Sequence, residues 1–326
     1  MEKRNVFFKK SVYEENVSKE NKLILDDYIM EMKSKGRSEG TINQYVYDIK
    51  GFYCWSAENL NKESILDLKK RDFRRFFLHM QDTGCSSSRI NRMQCSLRNL
   101  LQFCVDDDDE YEDYEINIMS SIKGIEKQEV RDIVFLSDEQ VTYLIDTLMS
   151  QKKYQRALYV SLSYDSAGRR NEIHQVQKHG FLENSMTNEV LGKRGKRFQL
   201  LYKDRTKKIA EKYFEQRGED DVDSLWIHVE DGITKPLQSQ TLYSWAVSFR
   251  KILEEKYEEE ISLNSHSFRH SSLENYENGT HYNLEAMGIK NIDVKHLKEL
   301  ANHSSVETTE SYLKDKGKEQ LHSIFA

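Results

Sequence analysis

Apolar residues recur through the first third of the chain at the spacing of buried helix faces. Ile42, Tyr45, Val46, Ile49, Phe52 and Tyr53 follow the i, i+3, i+4, i+7 rule, with Ser38 or Thr41 placed to cap that helix. The segment SSSRINRMQCSLRNLLQFC repeats the pattern and turns Ile90, Met93, Leu97, Leu100, Leu101 and Cys104 inward. Farther on, FLSDEQVTYLIDTLM opens a helix with Ser137 as its cap and Glu139 in its first turn, and another helix runs from near Lys153 to Tyr164. The helical period breaks in NEVLGKRGKRFQLLYK, which reads as two short strands around a Gly- and Lys-rich turn, the only convincing hairpin in the pattern. Everything after it is again helical. The expectation is a mainly α protein with a small β-sheet (α+β).

One stretch, DDDDEYEDYEINIMSSIKGIEKQEVRD, is polar, acidic and weakly periodic, as a solvated inter-domain linker is; a strip that mimics DNA is the competing reading. The implied organisation is an N-terminal extension over 1–20, a helical domain over 21–106, an acidic linker over 107–133 and a second domain over 134–326. A chain of 326 residues can hold two modest cores, and 37% apolar with 11% aromatic content fills them despite 32% charged residues. Global disorder is thereby excluded. A single proline, Pro236, leaves the helices free to run.

The net charge of −6 argues at first against a nucleic-acid partner. Its distribution changes that. Residues 1–105 carry 19 Lys and Arg against 14 Asp and Glu, 106–115 carry eight acids and no base, and 116–326 carry 30 bases and 33 acids. The acidity is thus concentrated in one run. Arg89, Asn91 and Arg92 lie near the start of their helix, where phosphates could reach them, although a basic helix end is often only solvated. The four cysteines, Cys54, Cys85, Cys95 and Cys104, have no metal-like spacing and read as reduced thiols in or near helix cores. No stretch approaches the roughly 20 apolar residues of a membrane span, and the start MEKRNVFFKKS lacks the apolar block of a secretory signal, so a cytoplasmic location is expected.

Five segments of the second domain hold side chains suited to phosphoryl transfer. Arg169, in SAGRRNEI with Glu172 one turn later, offers a planar fork matched to two phosphate oxygens, though such a pair alone is an ordinary surface ion pair. Lys193, in LGKRGKR, could reach into a groove and protonate a leaving oxygen, with Lys196 as the competing candidate. His266 and Arg269, in HSFRH, share a helical face, while His270 falls elsewhere on that helix. His303 and Tyr312 lie nine residues apart in LANHSSVETTESYLK, and a tyrosine can be a phosphate nucleophile because its phenolate also leaves well.

In this order the segments resemble the tyrosine recombinases, the phage-integrase family. Its pattern has Thr-Gly-Leu-Arg-x-x-Glu, a Gly-Lys-Gly-like hairpin, His-x-x-Arg, then Leu-Gly-His-Ser-x-x-x-Thr-Thr and Tyr. The stretches SEGTINQYVYDIKGFYCW and SSSRINRMQCSLRNLLQF look like two helices of the family's core-binding domain, so the resemblance covers nearly everything after residue 20. Two departures stand out. Gly168 replaces a bulky residue before Arg169, and the stretch from Arg269 to His303 is long, with NGTHYNLEAMGIKNID as the insertion and His281, Tyr282 and His296 as bystanders.

The resemblance implies a helical core-binding domain and a mixed catalytic domain; in the tail after Tyr312, Leu321, Ile324 and Phe325 at helical spacing suit a short apolar helix docked on a neighbouring protomer or packed back on its own domain. Tyr312 would form a 3′-phosphotyrosine while Lys193 protonates the departing 5′-hydroxyl. Arg169 and Arg269 would hold the nonbridging oxygens, His303 would add a hydrogen bond, His266 would handle the tyrosine proton, and Glu172 would orient its neighbours. It also implies double-stranded DNA with a core site as partner, a tetramer on that DNA, and a reaction without cofactor, ATP or metal. The alternatives are a type IB topoisomerase or telomere resolvase, an inactive DNA-binding accessory protein, and an acidic helical interaction protein, which would leave the five ordered segments unexplained.

Overall fold

Local signals start most of the helices. In the first unit, α1 spans Lys10–Asn16, α2 Lys19–Ser34, α3 Glu39–Asn59, α4 Lys70–Asp82 and α5 Ser87–Asp106. Ser18, Ser38 and Ser86 each accept a backbone N–H of the following first turn with the side-chain oxygen, so α2, α3 and α5 begin on serine caps. The computed structural model describes residues 6–60, 64–107, 109–126, 133–179, 181, 185–303 and 305–313, with the side chain of residue 194 left aside. The chain divides into two compact units, Met1–Asp132 and Ile133–Ala326.

The first unit closes around Ile49, Phe52, Phe73, Phe76, Leu97, Leu100 and Leu101, all fully enclosed. The six inward positions read from α5 are all buried; on α3, Ile42, Ile49, Phe52 and Tyr53 are buried while Tyr45 and Val46 are only partly covered. The acidic stretch does more than tether. Met119 and Ile122 join the core, Arg98 donates to the carbonyls of Met119 (3.2 Å) and Ile122 (2.9 Å), and the Tyr111 hydroxyl donates to Asp27 at 2.7 Å. Its few apolar residues overrule its charge.

In the second unit, α6 spans Asp138–Ser150, α7 Tyr154–Ser166 and α8 Arg170–His174, followed by β1 (Met186–Leu191), β2 (Arg197–Leu201) and α9 (Asp204–Arg217). Ser137 caps α6 in a reciprocal box with Gln140. Next come β3 (Ile227–Glu230), β4 (Ile233–Pro236), α10 (Ser239–Ser248), α11 (Arg250–Tyr257), α12 (Ser265–Asn278), α13 (Asn283–Met287), α14 (Val294–Leu300) and α15 (Val306–Glu310). β1 and β2 pair antiparallel, as the sequence predicts. A second hairpin, β3–β4, corrects the expectation that all beyond β2 is helical. Its turn, Asp231-Gly232, has both residues at positive φ, which the Asp-Gly dipeptide favours. The main core packs α7 against α6, α9, α10 and α12, and a smaller cluster gathers Ala167, Leu273, Tyr276, Leu284, Leu297 and Ala301 beneath α12 to α14. Among the described residues no helix is long and apolar enough to cross a membrane. The tail expected to form a helix after Tyr312 lies outside the described residues.

Candidate active site

α7 ends at Ala167, whose φ of 50° turns the chain sharply into Gly168 and Arg169. Little room is left beside Gly168. A Cβ on it would stand 2.8 Å from Ile173 Cδ1, 3.0 Å from Ser166 Oγ and 3.1 Å from Leu200 Cδ2. The space a bulky residue would take is filled by Leu200, which accounts for the departure at this position.

Arg169 caps α8 jointly with Glu172: its backbone N–H donates to Glu172 Oε2 at 2.7 Å and its Nη1 to Oε1 at 2.9 Å. Glu172 is buried, so the pair fixes the guanidinium from the protein side. The neighbouring Arg170 instead lies over the Tyr243 ring, 5.5 Å from its centroid.

Arg269, on α12, is 1% exposed. Its Nη1 donates to the Ala167 carbonyl, and its Nη2 donates to the Ala301 carbonyl at 2.7 Å and meets His303 Nε2 at 2.5 Å. Three of five donors are therefore committed, and Nε finds no partner among the described residues. Burial, then the charge of Arg169, brings its pKa down to about 10. At that value the group remains a cation at neutral pH.

His303 is held from both sides. Since a guanidinium only donates, Nε2 accepts from Arg269, and Nδ1–H donates to Thr309 Oγ1 at 2.9 Å. Burial, followed by the charges of Arg269 and Arg169, lowers its pKa to about 3, so the ring is neutral. Tyr312 completes the cluster: its ring lies 4.9 Å from that of His303, 4.3 Å from that of His270, and 5.2 Å from the Arg269 guanidinium carbon. His270 also bonds the Tyr312 backbone carbonyl through Nδ1 at 3.2 Å. Helical spacing sets His270 apart from the other candidates; the structure packs it against Tyr312, because α15 returns the tyrosine over α12.

His266 stands at the solvent-facing start of α12, its backbone N–H donating to Asn264 Oδ1 at 2.9 Å. Partial desolvation, then the charges of Arg269, Arg169 and Arg170, hold its pKa below the ordinary histidine value. Lys193 is exposed and its ammonium bonds nothing among the described residues. The root of its hairpin nonetheless abuts the cluster: a Cβ on Gly192 would meet Asn302 Nδ2 at 3.3 Å and Glu172 Oε1 at 3.4 Å. Lys196 is exposed as well, and its carbonyl accepts the Gly192 N–H at 2.8 Å.

The candidates of the first unit have work of their own. Asn91 clamps the backbone of Ile125, donating to its carbonyl and accepting its N–H, both at 2.7 Å. Arg92 donates to both oxygens of the buried Asp48 at 3.0 and 3.2 Å. Arg89 lies 5.2 Å over the Phe7 ring. Cys54 and Cys104 are buried free thiols and Cys85 and Cys95 partly buried ones. Among the described residues, no group of three or more His, Cys, Asp or Glu side chains is placed to hold a metal ion.

Comparison with known proteins shows the family and the fold. The family described as "phage integrase family" matches residues 134–319, and "phage integrase, N-terminal SAM-like domain" matches 25–107. Tyrosine recombinase XerA of Thermococcus kodakarensis is 24% identical over 296 residues, 89% of this chain and 90% of the relative. The SPbeta prophage-derived recombinase-like protein YomM of Bacillus subtilis is 24% identical over 167 residues, 50% of this chain and 49% of the relative, so the match spans about half of that protein. Among solved structures, a lambda integrase tetramer bound to a Holliday junction shares the fold at a TM-score of 0.67 and 17% identity, covering 95% of this chain and 82% of that one. XerH site-specific recombinase bound to palindromic difH substrate does so at 0.61 and 16%, covering 88% and 79%. The match over 134–319 takes in more than half the chain and every residue of the cluster around Arg269: the chain belongs to the phage integrase family, the tyrosine recombinases.

Proposed function

We propose that this chain is a site-specific DNA recombinase that cuts and rejoins duplex DNA through a covalent bond to Tyr312. The observation that carries the reading is the convergence of Tyr312 and His303 on the buried Arg269, whose guanidinium is braced against the same loop that bears Arg169. Tyr312 Oη attacks the scissile phosphorus, the bond from phosphorus to O5′ breaks, and a 3′-phosphotyrosine forms. The tyrosine proton passes to His266, whose lowered pKa keeps it neutral and able to accept. Lys193, without a partner among the described residues, protonates the departing 5′-hydroxyl.

Arg169 and Arg269 hold the nonbridging oxygens, where preorganised donors count most as charge builds. His303 supports Arg269 through Nε2, and an arriving phosphate favours a change of tautomer or protonation that lets Nε2 donate to it. Glu172 orients Arg169. Ligation runs the same steps backwards, with the bond energy kept in the phosphotyrosine, so ATP, metal and cofactor have no step here. As in the lambda integrase tetramer on its Holliday junction, four copies on two sites exchange strands through such a junction. Arg89 and Arg92 add phosphate contacts from the first unit and Asn91 shapes the segment beside them. The protein acts in the cytoplasm, where its DNA is.

The test is incubation of wild type and Tyr312→Phe, in EDTA, with nicked suicide duplexes drawn from DNA flanking the gene, followed by a denaturing gel. A protein–DNA adduct with wild type alone is the expected result. An adduct that survives in the variant overturns Tyr312 as nucleophile, and specific binding without any adduct favours an accessory DNA-binding protein.

A further inference from the structure

The insertion between Arg269 and His303 has no part in the chemistry above, yet its His281 and Asn283 side chains are buried, and Tyr282 half-buried, at the end of α7. The His281 ring lies between those of Tyr164 (4.1 Å) and Tyr276 (3.7 Å), nearly parallel to both. Its Nδ1 accepts the Asn283 N–H at 3.2 Å, so Nε2–H donates to the Tyr164 carbonyl at 3.3 Å. The Tyr276 hydroxyl donates to the Asp165 carbonyl at 3.0 Å and accepts from Asn283 Nδ2 at 3.1 Å. The Tyr282 hydroxyl donates to Asp165 Oδ1, and its ring is roofed by Arg205 at 4.9 Å.

Asp165 is 1% exposed and has no ion-pair partner within reach among the described residues. Donors to its carboxylate include the Tyr282 hydroxyl, the Lys203 N–H at 3.0 Å and the Thr206 hydroxyl at 2.8 Å. Burying a carboxylate without a cation is expensive, and apolar packing would hold a helix end at less cost. What the carboxylate adds is a fixed position. Two residues on, the Ala167 carbonyl receives Arg269, and two further on stands Arg169. A displacement at Asp165 is therefore passed to both guanidinium groups.

We propose that Tyr282, acting through its hydrogen bond to Asp165, is a positioning residue that sets where Arg169 and Arg269 stand relative to one another. This rests on the reading of both arginines as phosphate-holding groups. Neither Tyr282 nor Asp165 touches the DNA. Misplacing a phosphate-binding fork by a fraction of an ångström slows the chemical step without weakening DNA binding, because most of the binding comes from contacts elsewhere.

The experiment is single-turnover cleavage of the nicked suicide duplex at saturating protein, reading the rate constant, the amplitude and the dissociation constant for DNA. Tyr282→Phe, Asp165→Asn and Tyr276→Phe each remove or neutralise one polar group while keeping shape. Each is expected to lower the rate constant about tenfold or more, with amplitude and dissociation constant unchanged. The double variant Tyr282→Phe/Asp165→Asn should be no slower than the slower single one, since both break the same bond. A purely structural role gives the opposite pattern, with amplitude and melting temperature lost while the surviving molecules cleave at the wild-type rate, and that result overturns the proposal, as does a multiplicative loss in the double variant. Should one variant fail to fold, the rate constants of the others decide by the same criterion. Arg169→Lys and Arg269→Lys run alongside. If they keep the wild-type rate constant the site reading itself fails, whereas if they lose it and Tyr282→Phe does not, only the positioning role fails.

Discussion

At Gly168 three side-chain atoms lie within 3.1 Å of where a β-carbon would stand, and one of them belongs to Leu200 of the hairpin that presents Lys193. Restoring the bulky residue of the family pattern, Gly168→Leu, requires the side chains of Ile173, Ser166 and Leu200 to move aside. The expected cost is about 2–3 kcal/mol, measured by denaturant unfolding, with slower cleavage because Arg169 is the next residue. The candidate residues were legible in the sequence by type and order, since a guanidinium three positions from a carboxylate or an imidazole marks one helix face. What spacing could not give is the meeting of elements. His270 sits one position, a 100° step, from Arg269, so periodicity sets it apart, yet an aromatic ring crossing above α12 touches both. The same limit hid His281 and Tyr282, whose partners are on α7.

Among the elements, those bounded by local chemistry were the readable ones. Serine caps start α3, α5 and α6, and the buried face of α5 is the apolar stripe of its sequence. The β3–β4 hairpin carried its own mark in Asp231-Gly232, but its exposed Val229 and Ile233 gave no alternation of buried and open positions to draw attention to it. Element ends also hold correctable strain. α11 stops at Glu258, exposed and at φ 55°, a left-handed conformation that glycine adopts freely. Glu258→Gly should raise stability by about 0.5–1 kcal/mol, read as a higher denaturation midpoint with unchanged slope, and leave cleavage as it is.

For the second unit as a body, acid is the stress to apply. Burial lowers the pKa of His303 and His281 to about 3 and of His270 to about 4. A group whose folded pKa lies below its unfolded value contributes stability above about pH 6.5 and loses it as pH falls. Asp165, raised by burial to about 6, and Asp138, also raised, act in the opposite sense, favouring the folded state at low pH and withdrawing that support as pH rises. With His266, also lowered, these histidines outweigh the two carboxylates. Between pH 6.5 and 4.5 unfolding should take up roughly one to two protons, and stability should fall by about 2 kcal/mol per pH unit at the steepest. Thermal melts across that range check the sign, and His281→Gln should flatten the slope. The side chains that close the end of α7 also bear on how the molecule is made. The Tyr164, Asp165 and Ala167 carbonyls take their partners from residues 102 to 117 positions downstream. Contacts so distant along the chain form late. A ribosome that has released the arginine loop still holds the segment that locks it, so biogenesis leaves that loop unarmed until residues 269–281 have followed it out.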